Sequence, residues 1–330
     1  MTTTPAKPTK TFSDIVEHTR GSEATYIDST GTIVVVPPNT PRMNHHVYNG
    51  SEWVPAGLLV EGENRTNLIV DSDSPSTQDV TISYIQPHTL HFTGTGSVTL
   101  SGASGAVSLT GTGSGEENRV SVTFTPESTG TATLTVSGTV VNAQLELGSG
   151  PSSYIPTTPT SSVTRYRDNF TVYASSLASS STVTIQIGGR ILSESTEGVT
   201  DFYRWYLDQD NQYKCSLSHS TGTVSHAHVS SGAQNTVDSD SGVYSQGSVY
   251  QIGTVFSASR VAGATSGVFD GQDTSVSSAP DLNTDGIFEL GHTLMGTISV
   301  FRVWGSDIGD TALENITAPS TDASLLLSFN

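Results

Sequence analysis

Ser97-Val98-Thr99-Leu100, Val107-Ser108-Leu109-Thr110, Val120-Ser121-Val122-Thr123-Phe124 and Leu134-Thr135-Val136 share one pattern, apolar residues alternating with hydroxyls. A period of two places every apolar side chain on one face of a strand and every Ser or Thr on the other. Gly102, Gly105, Gly111, Gly113, Gly115, Gly130 and Gly138 punctuate the segment with turns. Residues 80–141 therefore predict a compact antiparallel sandwich, each strand dry on one face and wet on the other.

The rest of the chain is written in the same style. Its 32 Gly and 14 Pro, with only 13% charged residues, do not suit long amphipathic helices; they suit short strands and tight turns. A length of 330 residues is long for one core and predicts two or three domains. Thirteen basic residues against 31 acidic ones leave a net charge of −18 and no basic cluster, which argues against nucleic acid as a partner. One cysteine, Cys215, excludes an intrachain disulfide. The start, Met1-Thr2-Thr3-Thr4-Pro5-Ala6-Lys7-Pro8-Thr9-Lys10, lacks the apolar stretch of a signal peptide, and no run is long enough to span a bilayer. The expectation is a protein made in a cytoplasm, with no membrane partner.

N-terminal to the sandwich, residues 1–11 read as a polar arm that stays loose unless a neighbouring subunit holds it. Ser22 to Val36 predicts a strand, a turn over Asp28–Gly31 and a second strand stopped by Pro37-Pro38. His46 to Val54 predicts a hairpin about Asn49-Gly50, a type I′ signal. Few aliphatic residues lie there, so the region is expected to pack on the chain downstream of it or on other subunits. Beyond Pro151, Pro156 and Pro159, strands are expected at 183–187, 202–207, 213–218, 223–229, 249–258, 267–269, 287–290 and 296–304. Eight strands so spaced suggest a two-sheet jelly roll. One helix is expected, at 310–316, with Asp310 or Thr311 as its cap.

Two further strings bracket the alternating segment: Gly57-Leu58-Leu59-Val60-Glu61 with Arg65-Thr66-Asn67-Leu68 before it, and Ala143-Gln144-Leu145-Glu146 with Ser153-Tyr154-Ile155-Pro156-Thr157 after it. With Arg20 to Gly31 and Pro41-Arg42, they resemble a module of bacteriophage virion proteins such as tail fibres, head spikes and decoration subunits. The resemblance implies a trimmed carbohydrate-binding-type jelly roll in the middle. It also implies a concanavalin-like, laminin-G-like sandwich over 168–316, closing on Gly296 to Trp304. The expected architecture is thus all-β: two antiparallel jelly-roll-type sandwiches in tandem behind an N-terminal irregular attachment region. The expected boundaries are 1–60 for the arm and attachment region, 61–150 for the small sandwich, 151–167 for a stiff Pro/Ser/Thr connector and 168–330 for the concanavalin-like jelly roll. The implied setting is the virion, as a homotrimer, joined to other virion proteins through its N-terminal region and offering lectin-like domains to host-surface glycan. A purely architectural decoration protein is the alternative from another class.

Within this frame a few residues carry chemistry. Phe202-Tyr203-Arg204-Trp205-Tyr206 puts rings on both faces of one strand, and Trp205, Tyr206 and Tyr213 are the candidate sugar platforms, with core packing as the competing role. His226 and His228 share one face of a strand; in a three-fold fibre, three such pairs would supply six nitrogens to a metal, and otherwise they mark a solvated strand face. Arg20, Arg42, Arg65 and Arg165 either fork onto a carboxylated sugar or tie loops to strands, Arg65 to Glu146 for example; the structural role is preferred. A polysaccharide depolymerase would need two carboxylates about 5–10 Å apart in a cleft. Asp208/Asp210 and Glu194/Glu197 read as turns instead, and no nucleophile elbow or phosphate loop occurs. No catalytic residue and no cofactor is expected.

Overall fold

In the computed structural model the described residues are 12–173, 177, 181–283 and 285–319, together with the backbone of the strand Leu326–Phe329. The polar arm at 1–11 lies outside them. The alternating segment folds as its pattern requires. One sheet runs Val107–Thr110, Ser97–Gly102, Gly130–Ser137, Gln78–Ile82; the facing sheet runs Val120–Phe124, His88–Gly94, Val140–Leu147. Val98, Leu100, Leu134, Leu90, Phe92 and Leu145 meet between them, while Thr99, Ser108, Ser121 and Thr135 face water.

The larger sandwich is not a tandem partner that begins at 168. Its seven-stranded sheet runs Val16–Thr19, Asn169–Val172, Ile287–Leu290, Val199–Asp208, Asn211–Ser218, Thr223–Ser230, Ala233–Asp238. Its eight-stranded sheet runs Val268–Asp273, Val261–Thr265, Val249–Ser257, Thr182–Ser193, Met295–Trp304, Trp53–Glu61, Arg42–Tyr48, with Leu326–Phe329 parallel to Met295–Trp304. Three N-terminal strands therefore belong to these sheets, and the expected attachment region 1–60 is no separate body. The physical reason lies in Leu58-Leu59-Val60, a continuous apolar run. Such a run marks a strand buried on both faces, and it pairs with Met295–Ile298 in the middle of the fold. The small sandwich is an insertion between Glu61 and Asp168, whose backbones meet through an Asp168 amide to Glu61 carbonyl bond of 2.9 Å.

Other expectations meet the structure at closer range. Ala24–Ile27 pairs with Ile33–Val36 about a turn in which Asp28 Oδ1 accepts the Thr30 and Thr32 amides, and Gly31 takes φ +82°. The hairpin about Asn49-Gly50 exists, but Tyr48 pairs with Trp53 across a four-residue loop. Only Gly50 of the two central residues has positive φ, so the turn is not type I′; Asn49 Oδ1 instead accepts the Ser51 and Glu52 amides. The connector at 151–167 is no exposed spacer: Tyr154 and Ile155 are buried, and Val163–Arg165 pairs with Arg65–Asn67. The helix is Asp310–Thr317, and Gly309 occupies its N-cap without a side-chain bond.

Candidate binding cleft

The two bracketing strings explain themselves once the insertion is seen. Asn67 sits at its root and satisfies four backbone groups. Its Nδ2 donates to the Ala143 and Ile155 carbonyls at 3.0 Å each, and its Oδ1 accepts the Ile69 and Leu145 amides. Gln144 Oε1 accepts the Ile155 amide, Glu146 accepts the Ser152 amide and hydroxyl, and Glu61 accepts those of Ser153. Tyr154 donates its hydroxyl to Asp73. The strings thus join the insertion to the larger sandwich.

All four singled-out arginines are buried and committed within the chain. Arg20 and Arg42 share Asp168, Arg42 also binds Glu61, and Arg165 lies 3.1 Å from Glu61. Burial would raise both carboxyls, but the surrounding guanidinium groups outweigh it. Arg165 and Arg42 with the Ser153 bonds hold Glu61 at about 2, and Arg42 with the His18 bond keeps Asp168 well below the carboxylate range. The structural reading of these arginines holds, with one correction. Arg65 pairs with Glu63 and donates to the Leu147 carbonyl rather than binding Glu146, because the Ser152 turn and His91 occupy that carboxylate.

Two of the three expected sugar platforms are closed to a ligand. Trp205 and Tyr213 are fully buried between the two large sheets, Trp205 donating to the Leu282 carbonyl and Tyr213 stacked on Phe256 at 4.3 Å. Their strand positions point inward, where the rings pack in the core of the larger sandwich. Tyr206 is half-buried on the opposite face, with the Arg204 guanidinium 4.7 Å over its ring. His226 and His228 do share a face, but it is the interior one. His226 bonds Thr254 and Asp270, and His228 lies against Tyr213. Neither can reach a symmetry axis, and neither belongs to a solvated face. Among the described residues no three His, Cys, Asp or Glu side chains converge to hold a metal.

A solvent-open cleft lies elsewhere, where the N-terminal ribbon and hairpin, the insertion and the larger sandwich meet. Its volume is about 370 Å³. Tyr26, Tyr48, Trp53 and Tyr154 form aromatic walls, Leu59, Leu192 and Met295 lie on the larger-sandwich side, and Glu116, Glu117 and Arg119 come from a 3₁₀ turn of the insertion. Tyr48 is 40% exposed and meets Trp53 with centroids 5.3 Å apart and planes at 51°. Arg119 binds Glu116 and lies 5.9 Å over the Tyr154 ring. His45 accepts the Ile27 amide at Nδ1, which leaves its proton on Nε2, and burial beside Arg42 lowers it to about 4. Glu61 also borders the cleft but stays ionised with both oxygens occupied, so it has no proton to give as a general acid.

Sequence reading missed this site because segments far apart in the chain, from Thr25 to Gly296, build it. The one local signal was an aromatic residue on each side of a tight loop, Tyr48 and Trp53, which cross-strand pairing brings face to face.

No family model matches the chain, and no curated protein matches it. Solved structures that match part of the chain include the CBM40 domain of Ruminococcus gnavus IT-sialidase bound to α2,3-sialyllactose, at 12% identity over 44% of this chain and 85% of that one, TM-score 0.36. The NanB sialidase of Streptococcus pneumoniae matches at 12% identity over 42% of this chain, TM-score 0.34, and the chain spans 24% of that enzyme's length. The SAP-like pentraxin of Limulus polyphemus matches at 12% identity over 78% of this chain and 82% of that one, TM-score 0.34.

Proposed function

We propose that this chain is a surface subunit of a virion, a fibre, spike or decoration protein, that binds host-surface glycan in the cleft beside Trp53. The cleft carries the proposal: aromatic walls open to water, with polar groups at the rim, suit the apolar faces and hydroxyl edges of sugar rings. The virion setting rests on the motif resemblance alone. A closed trimer follows from the same resemblance, and three weak sites on one particle would gain by avidity. The architectural reading has its own support, since the rings of 202–213 other than Tyr206 are buried and the four arginines are spent inside the fold.

Glycan-array binding by the full chain tests the two readings. Trp53→Ala is expected to weaken binding about tenfold or more, about 1.4 kcal/mol, while thermal unfolding stays within a few degrees of wild type. Tyr206→Ala is expected to leave binding unchanged. Equal loss in both variants would move the site away from the cleft, and a wild-type chain that binds no glycan would favour the architectural role.

A further inference from the structure

The cleft is short of cations. Arg119 is the one guanidinium on its lining, and each of its three nitrogens is engaged: Nε and Nη2 on Glu116, Nη1 on His91. Glu61 is neutralised by Arg42 and Arg165, and Glu116 by Arg119. Glu117 is exposed, and among the described residues its carboxylate has only a long contact, 3.4 Å, from Asn118. A carboxylate or sulfate entering here would meet an uncompensated negative rim and no fork to receive it.

The groups left over are neutral donors and one acceptor, the Glu117 carboxylate. Among the described residues the Trp53 indole N–H and the Tyr26 and Tyr48 hydroxyls have no hydrogen-bond partner in the chain. His45 faces the same space as an uncharged N–H donor. The Trp53 ring is seated on Gly31, where a Cβ would fall 2.5 Å from the indole nitrogen, so the turn before it holds the platform in place. Ring, donors and acceptor together match a pyranose that presents C–H groups to the indole and hydroxyls to the rim.

Building on the proposed glycan binding, we infer that the cleft selects an uncharged pyranose, a hexose or N-acetylhexosamine, and discriminates against acidic sugars. The test uses the full chain and two pairs in which one member carries an added acidic group: lactose against 3′-sialyllactose, and N-acetylglucosamine against its 6-sulfate. A glycan array of neutral and charged members stands beside them, and affinities are read by calorimetry. The expected result is at least tenfold tighter binding of neutral members than of their charged counterparts, lost with Trp53→Ala. Glu117→Lys is expected to narrow the gap between lactose and 3′-sialyllactose. Tighter binding of the sialylated or the sulfated member overturns the inference and leaves glycan binding standing. No binding to any pair or array member overturns both.

Discussion

Glu61 accepts two bonds from Ser153 and sits between Arg42 and Arg165, and Asp168 is placed in the same way between Arg20 and Arg42. This buried charge makes stability depend on pH with a definite sign. Glu61 lies at about 2 when folded against 4.5 ordinarily, so its contribution is complete above about 4.5 and drains away as pH falls toward 2. Asp168 is shifted in the same direction. His45, at about 4 instead of 6.5, is neutral in the fold, so its share is complete above 6.5 and is lost between there and 4. Thermal unfolding followed from pH 8 downward is expected to soften below 6.5 and fall steeply below 4.5. Glu61→Gln should cost about 3–5 kcal/mol at neutral pH by stranding buried guanidinium groups, and it should flatten the steep stage; an unaltered acid profile would refute this account. At this scale the sequence was readable in kind. Rare arginines in an acidic chain announced structural pairing, but which carboxylate each one took depended on a turn at Ser152-Ser153 that composition does not disclose.

The bracketing strings are best understood as elements joined by one amide side chain. They lie where the chain enters and leaves the small sandwich, and the Leu68 amide bonds the Leu145 carbonyl at 2.9 Å. The formal partner of Arg65–Asn67 is nevertheless Val163–Arg165, a three-residue ladder inside what looked like a proline-rich spacer. Proline spacing hid that ladder, since it suggests extended chain whether or not the chain has a neighbour. Asn67→Ala would leave four buried backbone groups without this partner. The expected cost is upward of about 3 kcal/mol, and amide exchange should rise first at Ile69 and Leu145, ahead of the core strand Thr182–Ser193. Uniform acceleration across both sandwiches would show that the insertion has no junction of its own. The alternation of 97–136 was legible outright, because a period of two admits few structures. Strands such as Val261–Thr265, whose five residues are all buried, carry no such alternation and went unread.

For the whole molecule, the larger sandwich is made of chain from both ends. Residues 168–330 alone lack Val16–Thr19, Arg42–Tyr48 and Trp53–Glu61, so they would expose the flank of Met295–Trp304 and lose Leu58 and Val60 from the core. That fragment is expected to aggregate or unfold without cooperativity. A chain in which a short Gly-Ser linker replaces 62–167 should still give a single thermal transition, because Glu61 and Asp168 already touch. A well-folded 168–330 fragment would overturn this view. Sequence reading placed the boundary at 168 because it took the motif strings for domain limits, whereas pairing across some 240 residues leaves no local trace. The same pairing sets a timetable for synthesis. At about 5–20 residues per second, the strand Trp53–Glu61 leaves the ribosome roughly 10–50 seconds before Met295–Trp304 exists to receive it. Throughout that interval Leu58-Leu59-Val60 is an uncovered apolar strand, while the insertion just downstream can close on its own core. The newborn chain therefore carries a finished small domain beside a sticky, waiting edge, and shielding that edge is the task its folding sets for the cell.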